Sequence, residues 1–327
     1  MSEFFSGYGL FLAELLTIVG IVLLAISIGI ASARRGGDRQ GLTIKNLNEQ
    51  MEQAAIVLKR ALLPKDQFRK EAKASAKARK ERRRGKTPGP SRKRIFVLDF
   101  KGDVRASATA SLREEVSAVL AVARDGDEVL LRLENPGGLV HEHGLAASQL
   151  LRLKARGVRL LIAVDKVAAS GGYLMACVAD RLMAAPFAIV GSIGVIVQRP
   201  NFHRWLEERG VDFEQITAGR YKRTLTLFGE NTDEGREKLK QELEEVHALF
   251  KAEVAAQRPQ VELDRVATGE HWYGTQALDL KLVDEIRTSD DFLLAAAGEC
   301  DLFHVAFKRR RRFAERLFGG AETLLTR

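Results

Sequence analysis

Apolar positions fall into three regimes along the chain. Residues 10–30, LFLAELLTIVGIVLLAISIGI, form one apolar run with a single charge, Glu14. A helix of about 20 residues spans the hydrocarbon core of a bilayer, so this run predicts a transmembrane helix. Residues 31–94 carry only a weak helical stripe, at Leu47, Met51, Ala55, Val57 and Leu58. The stretch KEAKASAKARKERRRGKTPGPSRKR then lacks large apolar side chains. Such a segment buries too little surface to offset its ordering entropy, and a helical-then-disordered linker is expected.

From residue 95 the pattern becomes that of a folded domain. Ile95–Phe100 (IFVLDF), Glu128–Leu133 (EVLLRL) and Val158–Val164 (VRLLIAV) read as buried strands. Helices are expected between them, one opened by a Ser111/Glu114 capping box and one over about 144–154. Strand and helix alternate, which argues an α/β domain with a largely parallel sheet. Further on, Asp212–Ile216 reads as a strand. A long helix is expected from an Asn231/Glu234 capping box, with Leu239, Leu243, Val246, Phe250 and Val254 as its core stripe. The expected organisation is a flank (1–9), an anchor (10–30), a basic linker (31–94), a folded α/β domain (95–306) and a basic tail (307–327).

Charge sharpens this division. The chain of 327 residues has a net charge of +9. Residues 31–94 alone hold 20 Lys/Arg against 6 Asp/Glu, so the remainder is net acidic. Only Phe68 interleaves the basic residues, and no nucleic-acid partner is expected. Anionic membrane lipid is the partner that a polybasic strip beside an anchor calls for. The N-terminus, MSEFFSGYG, has no Lys or Arg, unlike a cleaved leader. Arg34, Arg35 and Arg39 follow the apolar run and place that side in the cytoplasm by the positive-inside rule. The tail from Phe307 mixes Arg with Phe, suited to a membrane surface, a subunit contact or a solvated end. Cys177 and Cys300, 123 positions apart, exclude a disulfide scaffold and a cysteine-based zinc site.

Two glycine-rich loops could carry chemistry. Asn135-Pro-Gly-Gly138 follows a strand, and its amides could hold an oxyanion. Taken alone, Pro-Gly-Gly is a weak signal, and a plain turn explains it better. Ala169-Ser-Gly-Gly172 opens a helix, where Ser usually serves as an N-cap. The two glycines after Ser170 would clear space for a bound acyl group. A nucleophilic Ser needs a base. Of His141, His143, His203, His247, His271 and His304, the first two could be a base or half a metal site, but no HExxH-like partner follows them. His247 reads as surface, His271 and His304 have no acidic neighbour in an obvious orienting role, and no Ser-His-Asp set is assembled. Lysine is the alternative, provided burial keeps it neutral. Lys222 and Lys166 are candidates by position, although a lysine in such a loop ordinarily faces water.

Five motifs in order then carry a resemblance: Leu98-Asp-Phe-Lys-Gly102, Asn135-Pro-Gly-Gly138, Val167-Ala-Ala-Ser-Gly-Gly-Tyr173, Gly191-Ser-Ile-Gly-Val195 and Gly219-Arg-Tyr-Lys222. The chain resembles the signal peptide peptidase A family of Ser-Lys proteases over about residues 1–310, especially its SohB-like members. The resemblance implies a ClpP/crotonase-like fold and a bacterial inner-membrane protein without cofactor or metal. It implies Ser170 as nucleophile, Lys222 as general base, and Gly137, Gly138 and Gly171 as the oxyanion hole. The substrates would be peptides or unfolded polypeptides, such as remnant signal peptides. A homo-oligomer would bring Ser and Lys of neighbouring protomers together. Two departures stand out. Asn135 replaces a common Ser, which reads as inconsequential. Lys281 replaces a common Gly, expected to affect only a local turn. An acyl-thioester enzyme of crotonase type and an inactive membrane scaffold are the rival functions.

Overall fold

The computed structural model describes residues 14–21, 41–83 and 92–309. Residues 14–21 are helical (α1) and exposed. The rest of the 10–30 run lies outside the described residues, as do 84–91 and most of the basic tail. Among the described residues no helix is long and apolar enough to cross a membrane.

The compact unit runs Leu42–Phe307. It begins with β1 (Gly41–Asn46) and α2 (Leu47–Leu62), where Asn46 Oδ1 accepts the Glu49 N–H and caps the helix. α3 (Lys65–Arg83) follows. Helix thus extends through sequence expected to be disordered, because Ala, Lys, Arg and Glu are all strong helix formers. The expected linker also contributes to the folded unit. β1 forms the edge of the main sheet. Asn48 donates to the Ala297 and Cys300 carbonyls and accepts the Leu302 N–H.

β2 (Arg94–Lys101), α4 (Thr109–Val122), β3 (Glu128–Glu134), α5 (Val140–Lys154) and β4 (Arg159–Val164) realise the expected alternation. Then come β5 (Val167–Ala169), α6 (Gly171–Ala176), β6 (Arg181–Ala184), β7 (Ile189–Gly191) and α7 (His203–Glu207). The chain closes with α8 (Asp233–Gln257), α9 (Leu263–Val266), β8 (His271–Tyr273), α10 (Gly274–Asp279), β9 (Glu285–Ile286), α11 (Ser289–Ala296) and β10 (Asp301–Lys308). The main sheet has the order β1-β10-β2-β3-β4-β6-β9, and the pairs from β10 to β9 are parallel. A small sheet, β5-β7-β8, combines one parallel and one antiparallel pair.

Both faces of the main sheet are covered, which explains the uninterrupted apolar runs. Leu98, Leu131 and Ile162, in register across β2, β3 and β4, pack with residues of α4, α5, α6 and α8. Their neighbours Val97, Leu130 and Leu161 pack with Phe292 and Leu293 of α11, and Leu47 and Met51 of α2 lie against them.

Several local expectations are corrected. α4 starts at Thr109 behind Ala108, with no side-chain cap, so Ser111 lies inside the helix. α8 is capped by Thr232, which accepts the Gly235 N–H, while Asn231 Oδ1 takes the Thr226 N–H instead. Residues 212–216 form an exposed irregular segment, because no neighbouring strand offers them a ladder. Of the α8 stripe only Phe250 and Val254 are buried; Leu239, Leu243 and Val246 are half-buried.

Lys281 follows α10 with φ 59°, in the left-handed region, and its N–H bonds the Leu278 carbonyl. This is the helix-end position where glycine avoids a Cβ penalty. Lys281→Gly is expected to raise stability by about 1 kcal/mol, read as a higher thermal midpoint.

Candidate active site

Two loops meet at the carboxyl ends of parallel strands, where sites in α/β sheets form. Asn135, just past β3, makes a parallel bridge with Ala168 of β5. Its N–H donates to the Val167 carbonyl, and its own carbonyl accepts the Ala169 N–H. That bridge sets the Pro136-Gly-Gly138 loop against Ser170. A Cβ on Gly137 would stand 2.8 Å from Ser170 Cβ and 2.7 Å from the Ala169 carbonyl oxygen.

Ser170 joins β5 to α6 with φ 51° and ψ −121°. A non-glycine residue held there is strained and persists only where its surroundings impose it. The restraints are visible: its N–H donates to the Gly191 carbonyl, and its carbonyl accepts the N–H groups of Tyr173 and Leu174. Its side chain makes no capping hydrogen bond. Ser170 stands at the N-cap position without doing the N-cap's work, and it is only half-buried.

Gly137, Gly138 and Gly171 all lie in these two loops, with different amide environments. The Gly137 N–H turns inward and donates to Asn135 Oδ1 at 2.9 Å. The N–H groups of Gly138 and Gly171 have no acceptor among the described residues. Gly138 has φ 153°, and a Cβ there would lie 2.2 Å from the Val104 carbonyl oxygen. The glycines after Ser170 serve packing within the protein. A Cβ on Gly171 would meet the His143 ring at 2.5 Å, and one on Gly172 the Asn135 carbonyl oxygen at 2.0 Å.

The histidines occupy other roles. His143 is fully buried, with Nδ1 2.9 Å from the Leu139 carbonyl oxygen and Nε2 3.2 Å from Asn135 Oδ1. His247 is half-buried, with Nε2 3.2 Å from the Ile193 carbonyl oxygen. His304 does have an acidic neighbour: its Nε2 lies 2.8 Å from Asp99 Oδ2. Burial would raise Asp99, but hydrogen bonds from His304 and Arg132 outweigh it and hold the carboxyl at about 2. This partner, from a strand distant in sequence, was invisible in the linear pattern. Lys166 forms an exposed ion pair with Glu134. Cys177 is buried, and burial pushes its thiol up to about 12, which leaves it unreactive.

Lys222 lies on an exposed turn, and no hydrogen bond joins its amine to Ser170 within the described single chain. The turn is held by its neighbours: Arg220 pairs with Glu234 at the start of α8, and Lys238 lies over the Tyr221 ring. It belongs to a lobe over residues 192–232 in which Phe202, Phe213 and Phe228 cluster. Asn201 ties the lobe together by donating to the Thr226 and Gly229 carbonyls. The lobe nonetheless exposes much apolar surface, with Ile196 74% and Ile216 95% exposed and Trp205 about half.

A strained serine at a strand-to-helix turn, beside two backbone amides with no acceptor among the described residues, has the arrangement of a serine-type acyl-transfer site. The chain belongs to peptidase family S49: residues 3–150 match the model "Peptidase family S49 N-terminal" and 152–302 match "Peptidase family S49". It is therefore a peptide-bond hydrolase. Its relatives include a probable protease SohB of Haemophilus influenzae, 46% identical over 98% of this chain and 94% of that protein. Another, from Buchnera aphidicola of Acyrthosiphon pisum, is 53% identical over 72% of this chain and 71% of the relative. Among solved structures, a membrane-bound stomatin-specific protease in complex with a substrate peptide aligns with TM-score 0.43 and 11% identity. That alignment covers 70% of this chain and 98% of the other.

Proposed function

We propose that the protein is a membrane-anchored serine endopeptidase with a ClpP/crotonase-like fold, using Ser170 as nucleophile and Lys222 as general base. The observation that carries this reading is the Ser170 backbone, strained and pinned while its hydroxyl is left free of a capping bond. Ser170 Oγ attacks the peptide carbonyl carbon as its proton passes to neutral Lys222. The carbonyl oxygen becomes an oxyanion received by the N–H groups of Gly138 and Gly171, while Gly137 shapes the loop. The C–N bond then breaks, Lys222 protonates the leaving amine, and water taken up with its help releases the acyl group and restores Ser170.

A lysine base has to be uncharged, and loss of solvent favours the neutral amine. In a homo-oligomer built through the 192–232 lobe, a neighbouring protomer covers the exposed apolar surface and places Lys222 against that protomer's Ser170. Patches of this extent on a soluble surface mark an interaction site. The 10–30 run anchors the particle in the bacterial inner membrane, with the basic segments on its cytoplasmic side. Peptides and unfolded or membrane-associated polypeptides, including remnant signal peptides, are the substrates.

The test is covalent labelling of the full chain with a fluorophosphonate. The expected result is a single adduct on Ser170 that is absent from Ser170→Ala. An adduct that persists in Ser170→Ala would remove Ser170 from the mechanism.

A further inference from the structure

Asn135 is the hub of the contact between the two site loops. Its Oδ1 accepts the Gly137 N–H at 2.9 Å and lies 3.2 Å from His143 Nε2, and its Nδ2 donates to Met175 Sδ at 3.3 Å. Both Asn135 and His143 are completely buried. The surroundings are cut to fit this pair. A Cβ on Gly102 would fall 2.2 Å from Asn135 Oδ1, a Cβ on Gly171 would strike the His143 ring, and a Cβ on Gly172 would strike the Asn135 carbonyl. Three glycines, on two separate stretches of chain, are therefore small where this pair sits.

The geometry points to Asn135 and His143 as a coupled pair of positioning residues that aims the oxyanion-binding amides, an inference that rests on Ser170 acting as nucleophile. Drawing the Gly137 N–H inward fixes the Pro136–Gly137 peptide plane, one unit before the Gly138 N–H, which has no acceptor among the described residues. The His143 ring lies between Asn135 Oδ1 and the carbonyl oxygen of Leu139, just past Gly138; a neutral imidazole donates to one of these two oxygens and packs against the other. The His143 Cβ, Cγ and Cδ2 atoms fill the space beside Gly171, the second amide donor. One buried imidazole thus spans both donors without touching substrate. The departure at position 135 is then consequential for this chain. A serine hydroxyl could still receive the Gly137 N–H but is too short to reach His143 as well.

The experiment compares full-length wild type, Asn135→Ser, His143→Ala and the double variant. It follows the second-order rate of fluorophosphonate labelling at Ser170 and peptide kcat and KM, each per folded molecule. Displacement of the reacting geometry by about 1 Å costs on the order of 100-fold, so each single variant is expected to label about 10- to 100-fold more slowly. Because the two residues act as one unit, the double variant is expected to lose no more than the worse single variant. The loss is expected in kcat, with KM changed less than about 2-fold, since neither residue binds substrate. Asn135→Ser removes only a few atoms and keeps the comparison readable if His143→Ala folds poorly. Wild-type labelling rates in folded Asn135→Ser overturn the inference, as do losses that multiply in the double variant. Failure of wild type itself to label at Ser170 overturns the nucleophile reading and this inference with it, and so separates the two failures.

Discussion

Ser170→Ala and Lys222→Ala chains are each expected to be inactive alone and to regain peptidase activity when co-assembled. In a serine protease that depends on a nucleophile–base pair, loss of either partner lowers kcat by about 10⁴-fold or more. The exposed turn of Lys222 and the apolar lobe that carries it are the reason to expect the partner lysine from a neighbour. In a random mixed particle, a site needs wild-type Ser170 from one chain and wild-type Lys222 from the next, so about one quarter of sites should be restored. Were serine and lysine supplied by the same chain, no chain in the mixture would hold both, and mixing would restore nothing. Titration of active sites in denatured-and-refolded mixtures reads the difference directly.

The second large effect concerns stability. Asp284→Ala is expected to destabilise the compact unit by about 3–5 kcal/mol, the range for leaving a buried ion without its partner. The Arg258 side chain is 3% exposed and donates to Asp284 through both terminal nitrogens, at 2.7 and 2.9 Å. Asp284 also accepts the Leu182 N–H at 2.7 Å. Next to it, the Tyr173 hydroxyl, on the helix behind Ser170, donates to the Leu282 carbonyl at 2.9 Å. Burial pushes the Asp284 carboxyl up, but the Arg258 and Leu182 hydrogen bonds outweigh it and hold the group below its ordinary value. Its contribution is therefore present above the unfolded-state pKa and is lost as pH falls through the lower folded value. Chemical unfolding at neutral pH should show the full deficit of Asp284→Ala, and unfolding at acid pH a smaller one. A paired Arg258→Met, Asp284→Leu variant should recover most of the loss, because no charge is then left buried alone.

How much was legible varied with the range of the cause. The IFVLDF, EVLLRL and VRLLIAV runs became β2, β3 and β4 because strands covered on both faces need continuous apolar sequence. The resemblance marked Lys281 as a turn position, since a Gly commonly stands there in the family, and its φ of 59° agrees. Capping at Ser111 and Asn231 misled, since a cap depends on where the preceding chain arrives: α8 starts one residue later and is capped by Thr232, while α4 starts behind Ala108 with no side-chain cap. The His304–Asp99 pair and the fit of His143 against Gly171 joined residues 205 and 28 positions apart. No local spacing encodes such contacts.

The order of apolar runs, the basic segment beside a membrane-length stretch, and the serine between small residues were settled by the chain itself, because each follows from side chains interacting within a few positions. Tertiary structure alone decided that Ser170 is strained and uncapped, that the Gly137 amide is spent on Asn135, and that His143 buttresses a loop. Those outcomes depend on the Asn135–Ala168 bridge, which brings two strand ends together, and on the close packing it imposes on everything between them.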